Sequence, residues 1–225
     1  MPFRLTYAAR SDVGLIREGN EDSGYASPRL LAVADGMGGA AAGEVASSVT
    51  IAAFAGLDDD DPTGDLLALL RQTLQRCEGQ LTALIEAEPG LRGMGTTVTA
   101  MIRSGNRLGL LHIGDSRGYL LREGKLEQIT RDHTLVQSLI DAGRLTETEA
   151  QTHPQRNVLT RVLDGAHSAE PDLSVRELRA GDRFLLCSDG LSGVVSNQTI
   201  EETLAQYEPP EQAVEALIAL ALRGG

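Results

Sequence analysis

Short apolar runs alternate with helical stretches along the 225-residue chain. Five runs are apolar, partly β-branched and bounded by glycine or charge, which predicts strands at residues 30–34, 96–102, 107–113, 117–122 and 183–187. Turn residues at 104–106 and 122–125 predict hairpins, because they are short and contain glycine. Residues 96–129 are therefore predicted to form one antiparallel meander.

Helical spacing occurs before, between and after these strands. Apolar residues recur three and four positions apart over 67–84 and again over 214–221, the pattern of amphipathic helices. Small apolar residues over 43–55 predict a buried helix, and residues 132–143 and 146–152 predict two short ones. Hairpin-joined strands among helices predict an α+β fold, with helices packed on antiparallel sheets. The length favours one domain over residues 1–225.

Composition and charge limit the partners. The chain carries 32 acidic and 20 basic residues, a net charge of −12, and only three Phe, four Tyr and no Trp. Such a surface repels polyanions, so we expect no nucleic-acid partner. No apolar run approaches the ~18 residues of a membrane helix, and the first residues lack a secretory signal. The two distant cysteines, Cys77 and Cys187, predict neither disulfide nor zinc site and fit a cytoplasmic location.

Three aspartates each follow a predicted strand and lie beside glycine: Asp35, Asp115 and Asp189. Strand ends are rigid supports, and glycine lets a ligand approach closely. Carboxylates converging there would need a cation, and oxygen ligands without a Cys or His cluster favour Mg²⁺ or Mn²⁺ over zinc. Aspartate is also common in turns, so simple turn capping stays open at this point.

An arginine and two carboxylates lie close together near the start of the chain. Arg17 precedes Glu21 and Asp22 within a short charged segment. A guanidinium can bind two phosphate oxygens, and a neighbouring carboxylate can hold metal-bound water. A solvated charged turn explains the same segment equally well.

Five motifs occur in one order along nearly the whole chain. They are Arg17 with Glu21-Asp22, VADGMGG at 33–39, GMGTT at 93–97, HIGDSR at 112–117 and SDGL at 188–191. Together they resemble the metal-dependent protein phosphatase family (PPM, or type 2C), most closely its bacterial PstP-like catalytic domains. The resemblance implies two antiparallel β-sheets sandwiched between helical layers (αββα). It also implies a serine/threonine phosphatase that reverses bacterial Ser/Thr kinase signalling.

The resemblance implies metal ligands at matching positions of this sequence. Asp35 would bridge two catalytic Mn²⁺ or Mg²⁺ ions, with the Gly36 carbonyl on one of them. Asp189 would complete the other site. Asp115, together with Asp189, would hold a weaker third ion, which the Asn157 carbonyl would also contact.

The remaining implied roles concern the substrate. Arg17 would bind its phosphate, while Glu21 and Asp22 would act mostly through water. Water activated by the two ions would attack phosphorus directly, so neither cysteine is needed as a nucleophile. Residues 131–157 match the flap beside the active site, where substrates would be selected. Some relatives, mainly eukaryotic, have a histidine as proton donor at the position of Met37, so the general acid here is unidentified.

The family pattern continues beyond this chain. It ends with an Asp-Asn strand that carries a metal ligand, whereas this sequence stops at Gly225. We therefore expect a catalytic domain truncated before that strand and lacking one carboxylate. It would act as a monomer in the cytoplasm, on its own or as part of a longer membrane-anchored protein.

Two other functions stay open from the sequence. One is a PPM-type phosphatase of anti-sigma-factor antagonists, and the other is a catalytically impaired module that binds phosphoproteins. In the main interpretation the partners are phosphorylated proteins, above all receptor-type Ser/Thr kinases and their substrates.

Overall fold

Two antiparallel sheets lie face to face in the computed structural model, which describes residues 5–59 and 64–224. The larger sheet has the order β1-β2-β4-β5-β8, with β3 beside β2; the smaller has the order β7-β6-β9. The strands of the larger sheet are β1 (Asp22–Ala26), β2 (Leu30–Met37), β3 (Gly95–Thr96), β4 (Val98–Ser104), β5 (Arg107–Ile113) and β8 (Asp172–Glu177). Those of the smaller sheet are β6 (Arg117–Arg122), β7 (Lys125–Gln128) and β9 (Arg183–Cys187).

Helices cover the outer face of each sheet. On the larger sheet lie α1 (Ala40–Ala55) and α2 (Leu66–Ala87), and on the smaller sheet α6 (Asn197–Gln206) and α7 (Pro210–Gly224). The short helices α3 (Leu135–Asp141) and α4 (Glu147–Gln151) connect β7 to β8, and α5 (Asp189–Ser192) follows β9. A third apolar cluster, around Met101 and Leu110, fills the space between the sheets. The expected αββα sandwich is confirmed.

Alternation along β2 decides which residues face the second sheet. Leu30, Ala32 and Ala34 are buried in the cluster beneath α1, whereas Leu31 packs in the cluster between the sheets. Because side chains alternate along a strand, Asp35 shares the face of Leu31. The strand therefore points this carboxylate toward the smaller sheet rather than toward the helices.

The predicted meander over residues 96–129 is wrong in one respect. Strands β4 and β5 pair, and so do β6 and β7, but β5 pairs with β8 and β6 with β9. The chain leaves the larger sheet after Ile113 at Gly114, whose φ of 105° turns it away, and it enters the smaller sheet at Arg117. This crossing between the sheets carries Asp115.

The predicted helices are present with shifted ends, and several begin at capping side chains. The Asp65 carboxylate accepts hydrogen bonds from two backbone N–H groups at the start of α2. Thr146 and Glu149 form a capping box at α4. These local signals explain why both helices begin where polar residues interrupt the apolar pattern.

The two cysteines and the last helix bear on further predictions. Cys77 and Cys187 are free and buried in different apolar clusters, so no disulfide joins them. Within the described ranges, no helix combines the length and apolar character needed to span a bilayer. The last described helix, α7, ends at Gly224. A following Asp-Asn strand and the flap as a separate subdomain therefore stay predictions.

Candidate active site

A cavity of about 870 Å³ lies where the two sheets meet. Seven of the eight predicted site residues line it: Arg17, Glu21, Asp35, Gly36, Asp115, Asn157 and Asp189. These residues are distributed from position 17 to position 189, so only the fold brings them together. The eighth, Asp22, does not line the cavity but lies directly opposite Asp35 on the neighbouring strand.

The backbone of Asp35 is held by two threonines. Its N–H donates to Thr97 Oγ1 at 2.9 Å, and its carbonyl accepts from the Thr97 N–H and from Thr96 Oγ1, both at 2.9 Å. Both backbone groups of Asp35 are thus satisfied within the sheet, which leaves its carboxyl group to face the cavity.

Asp22 lies beside Asp35 on the neighbouring strand. The two residues are directly opposite in the antiparallel register of β1 and β2, so their side chains share one face. Ser188 Oγ donates a hydrogen bond to Asp22 Oδ2 at 2.6 Å. Because Ser188 lies between β9 and α5 and immediately precedes Asp189, this bond connects the larger sheet to the end of the smaller one.

The Asp115 loop is fixed by buried polar groups on both sides. Ser116 shares a 2.7 Å hydrogen bond with Thr97, the same threonine that holds Asp35. His133 Nδ1 accepts from the Gly114 N–H at 3.1 Å, and the His133 N–H donates to the Gly114 carbonyl at 2.7 Å. The predicted flap is therefore hydrogen-bonded to the loop that carries Asp115.

The backbone around Gly36 is packed so closely that only glycine fits there. A side chain there would lie 2.1 Å from the Gly43 carbonyl oxygen, which no real side chain allows. The Gly36 N–H donates to the Glu21 carbonyl at 3.1 Å. Glycine at both 36 and 43 lets α1 and the Glu21 segment approach the end of β2.

The carboxyl groups of the cavity repel each other. Burial, followed by the charges of Asp22, Asp189 and Asp115, raises the pKa of Asp35 to about 9. Burial and then the charge of Asp189 raise the pKa of Asp115 to about 6, and burial is also the largest cause that raises the pKa of Asp22. Without a cation, the pair Asp22–Asp35 therefore retains a proton at neutral pH.

This donor set fits a hard divalent cation. It consists of carboxylates and the Gly36 carbonyl, oxygen ligands of the type that Mg²⁺ and Mn²⁺ prefer. A positive ion would also relieve the repulsion that raises the pKa of Asp35. Among the described residues, no three Asp, Glu, His or Cys side chains are close enough to enclose an ion by themselves. Mg²⁺ is commonly held by one or two carboxylates and keeps several waters, so an open site is consistent with it.

The open side of the cavity carries the groups that could meet a substrate. Arg17 is exposed there, and within the described part of the chain its guanidinium makes no hydrogen bond or ion pair. Asn157 lies on the side of the predicted flap, and Met37 forms part of the wall. Arg17 can thus offer two N–H groups to an anion bound beside Asp35.

Sequence reasoning missed the residues that support the ligands: Thr97, Ser116, His133 and Ser188. Thr97 and Ser188 stood inside motifs that drew attention only to their neighbours. His133 lies 18 positions after Asp115, and nothing in the local pattern indicates that it contacts the Asp115 loop.

Comparison with known proteins identifies the family. Residues 20–222 match the family described as Protein phosphatase 2C. The chain belongs to this family, the metal-dependent or PPM protein phosphatases, which confirms the family that the sequence motifs indicated.

Individual relatives agree with this assignment. The chain is 62% identical over 221 residues to the serine/threonine protein phosphatase PstP of Mycobacterium tuberculosis, covering 98% of this chain and 43% of PstP. A crystal structure of the M. tuberculosis phosphatase PstP/Ppp matches with 60% identity and a TM-score of 0.96, over 99% of this chain and 94% of that one. A PstP catalytic domain in complex with two manganese ions matches with 58% identity and a TM-score of 0.91, over 98% and 92%. The chain thus spans less than half the length of full PstP.

Proposed function

We propose that this chain is a metal-dependent phosphatase that hydrolyses phosphoserine and phosphothreonine in proteins. The observation that carries the proposal is the cavity that joins Arg17 to Asp35, Asp115 and Asp189. Metal-assisted phosphate hydrolysis requires carboxylates that can hold metal ions and a nearby group, here the Arg17 guanidinium, that can bind the phosphate. The names of its relatives, all within this family, support the same activity.

We assign the divalent ions, Mn²⁺ or Mg²⁺, to the carboxylates that face each other. Asp35 would hold two of them, with Gly36 and Asp189 on either side, and Asp115 would hold a weaker third with Asn157 nearby. When bound, such ions supply an acidified water and polarise the phosphoryl group. The two manganese ions described for the PstP catalytic domain support this assignment.

The protein's own groups position the substrate. Arg17 binds two oxygens of the phosphate, since its guanidinium is exposed and has no partner among the described residues. Glu21 and Asp22 would act mostly through water, as carboxylates beside the ions that Asp35 would hold. Thr97 and Ser188 keep Asp35 and Asp22 in place through the hydrogen bonds described above.

An assay with defined components tests the proposal. With Mn²⁺, the chain should hydrolyse para-nitrophenyl phosphate and a phosphothreonine peptide, and EDTA should abolish both activities. Alkylation should leave them intact, because Cys77 and Cys187 are 0% and 7% exposed and burial raises the pKa of both thiols. Full activity in EDTA would overturn the metal mechanism. Binding of phosphopeptide without turnover would favour the impaired binding module instead.

We further propose that the substrates are receptor-type Ser/Thr kinases and their targets. The support is the likeness to PstP, since 98% of this chain aligns with it. A phosphorylated kinase domain and a phosphorylated anti-sigma-factor antagonist, compared at equal concentration, separate the two phosphatase alternatives. Faster turnover of the antagonist would favour the second.

A monomer in the cytoplasm is the setting that we propose. Two free cysteines buried in separate clusters fit a reducing compartment. Light scattering of the purified chain, with and without Mn²⁺, tests the oligomeric state, and a dimer would contradict it.

A further inference from the structure

A second cavity, of about 400 Å³, adjoins the first. Met37 and Val162 line both cavities, so the two lie side by side on either side of these residues. Five of the nine residues that line the second cavity have apolar side chains: Met37, Ile85, Met94, Val162 and Ala166. Arg92, Gly93, Gly95 and Asp164 complete the lining. None of the residues assigned to metal or phosphate lies in it.

The segment that carries two lining residues, Asp164 and Ala166, is hydrogen-bonded to α2. Thr82 Oγ1 donates to the Gly165 carbonyl at 2.6 Å, and the Ala169 N–H donates to Glu78 Oε1 at 2.9 Å. Gly165 has a φ of 67°, and a side chain there would lie 2.9 Å from Leu81. A cavity whose walls are already fixed pays little ordering entropy when it is filled.

Asp164 and Arg92, the two charged residues that line this cavity, differ in whether they are free to bind a ligand. The Asp164 carboxylate is occupied by the backbone N–H groups of Ala166 and His167 and by His167 Nδ1, all at 2.9 Å. Arg92, in contrast, is exposed, and its guanidinium has no hydrogen bond or ion pair within the described residues. A free guanidinium beside methionine and aliphatic side chains is a favourable setting for an aromatic ring, through cation–π and sulfur–aromatic contacts.

We propose that this second cavity binds an aromatic side chain of the phosphorylated substrate, close in sequence to the phosphoresidue. The inference rests on the proposed phosphatase function. Its occupant is the substrate because the cavity shares Met37 and Val162 with the one proposed to hold the phosphate. An extended peptide advances about 3.3 Å per residue, so a side chain within roughly three positions of the phosphothreonine can reach it.

Phosphopeptides test the proposal in the Mn²⁺-loaded protein. Phenylalanine replaces alanine at each position from three before to three after the phosphothreonine, and kcat/KM is measured for each peptide. We expect one position to raise kcat/KM by roughly tenfold, and leucine there to give a smaller rise. No preference at any position would overturn the inference.

Variants show where the preference arises. Ala166→Phe or Ile85→Phe fills the cavity and should reduce the preference to less than about twofold, with turnover of para-nitrophenyl phosphate unchanged. Ala83→Phe, an exposed position of α2 outside both cavities, should keep it. Thermal melting checks that each variant folds. If either Ala166→Phe or Ile85→Phe fails to fold, the other one carries the test. A preference that survives both would overturn the site, whereas a wild-type protein inactive on para-nitrophenyl phosphate would instead refute the proposed function.

Discussion

At the scale of single residues, Asp35 and Arg17 face the same cavity with different tasks. Asp35 is surrounded by carboxyl groups and would bridge two ions, whereas Arg17 would only hold phosphate. We expect Asp35→Asn to lower kcat at least about a hundredfold, because losing a metal ligand removes several kcal/mol of transition-state stabilisation. Arg17→Ala should mainly raise KM, by roughly tenfold, since it binds ground and transition states alike.

Steady-state kinetics on a phosphothreonine peptide at saturating Mn²⁺ measures both effects. Arg144→Ala, an exposed arginine that does not line the cavity, is the matched control and should behave as wild type. Equal kinetics for wild type and Asp35→Asn would overturn the bridging assignment.

The raised pKa of Asp35 predicts how the metal-free protein responds to pH. The folded state keeps a proton on Asp35 up to about pH 9, whereas the ordinary pKa is 3.8. The folded state therefore binds more protons, and the free energy of unfolding falls as pH rises between these values, by at most about 1.4 kcal/mol per pH unit for one group.

Asp35→Asn removes this contribution. In EDTA between about pH 6 and 8.5, urea unfolding should show the variant gaining stability relative to wild type as pH rises. Titrating groups away from Asp35 are common to both proteins and cancel in the comparison, whereas the change at its coupled neighbour Asp22 counts together with that of Asp35. If the free energies of unfolding of the two proteins changed in parallel with pH, the pKa of Asp35 would not be raised by its surroundings.

At the scale of elements, we expect substitutions at Gly114, where the chain crosses from the larger sheet to the smaller one, to be strongly destabilising. A methyl group there would lie 2.5 Å from the Thr97 side chain, at a φ of 105° that disfavours any side chain. Gly114→Ala should destabilise the protein by roughly 3 kcal/mol and lower activity, since Thr97 also holds Asp35.

Gly124→Ala is the matched control for this prediction. Gly124 has a φ of 77° in a hairpin, but no atom lies within 4 Å of an added methyl group. Its substitution should cost only about 1 kcal/mol and leave activity unchanged. Chemical denaturation compares the two variants, and equal losses would mean that the Thr97 contact is unimportant.

The same crossing shows what the sequence could predict. Apolar runs predicted β5, β6 and β9 at their observed bounds, because these strands have a buried face. The pattern did not reveal β8, because polar residues interrupt its apolar ones. This strand lies at the edge of the larger sheet. It also could not reveal which strands pair, since β5–β8 and β6–β9 join residues more than 50 positions apart.

In the candidate site, too, local patterns indicated some residues and not others. Aspartates beside glycine were detectable because the local pattern of strand, carboxylate and glycine repeats three times. Ser188 and His133 were not, because their partners, Asp22 and Gly114, are distant in sequence. Supporting hydrogen bonds depend on tertiary structure, which a linear pattern does not contain.

At the scale of the whole molecule, the cavity lies where the two sheets meet, beside the apolar cluster that packs between them. Asp35 belongs to the larger sheet and Asp189 follows the smaller one, and each sheet has its own helical cluster. Ions held by both aspartates would tie the sheets together. We expect Mn²⁺ to raise the melting temperature progressively with concentration, as ligand linkage requires.

Asp189→Asn tests this coupling, because it removes the contribution of the smaller sheet while Asp35 remains. Its melting temperature should respond to Mn²⁺ much less than that of wild type in calorimetric scans. A full response in the variant would mean that the ions bind the larger sheet alone.

The position of the aspartates on opposite sheets has a consequence for the lifetime of the protein. If the proposed ions join the two sheets, scarcity of free Mn²⁺ or Mg²⁺ would remove that connection, and transient opening and cleavage by proteases would become more frequent. Metal starvation would then reduce the number of molecules as well as the turnover of each one. Abundance of the protein would follow the supply of these ions, and under the proposed function phosphorylation of its targets would persist after the supply returns until new protein is made.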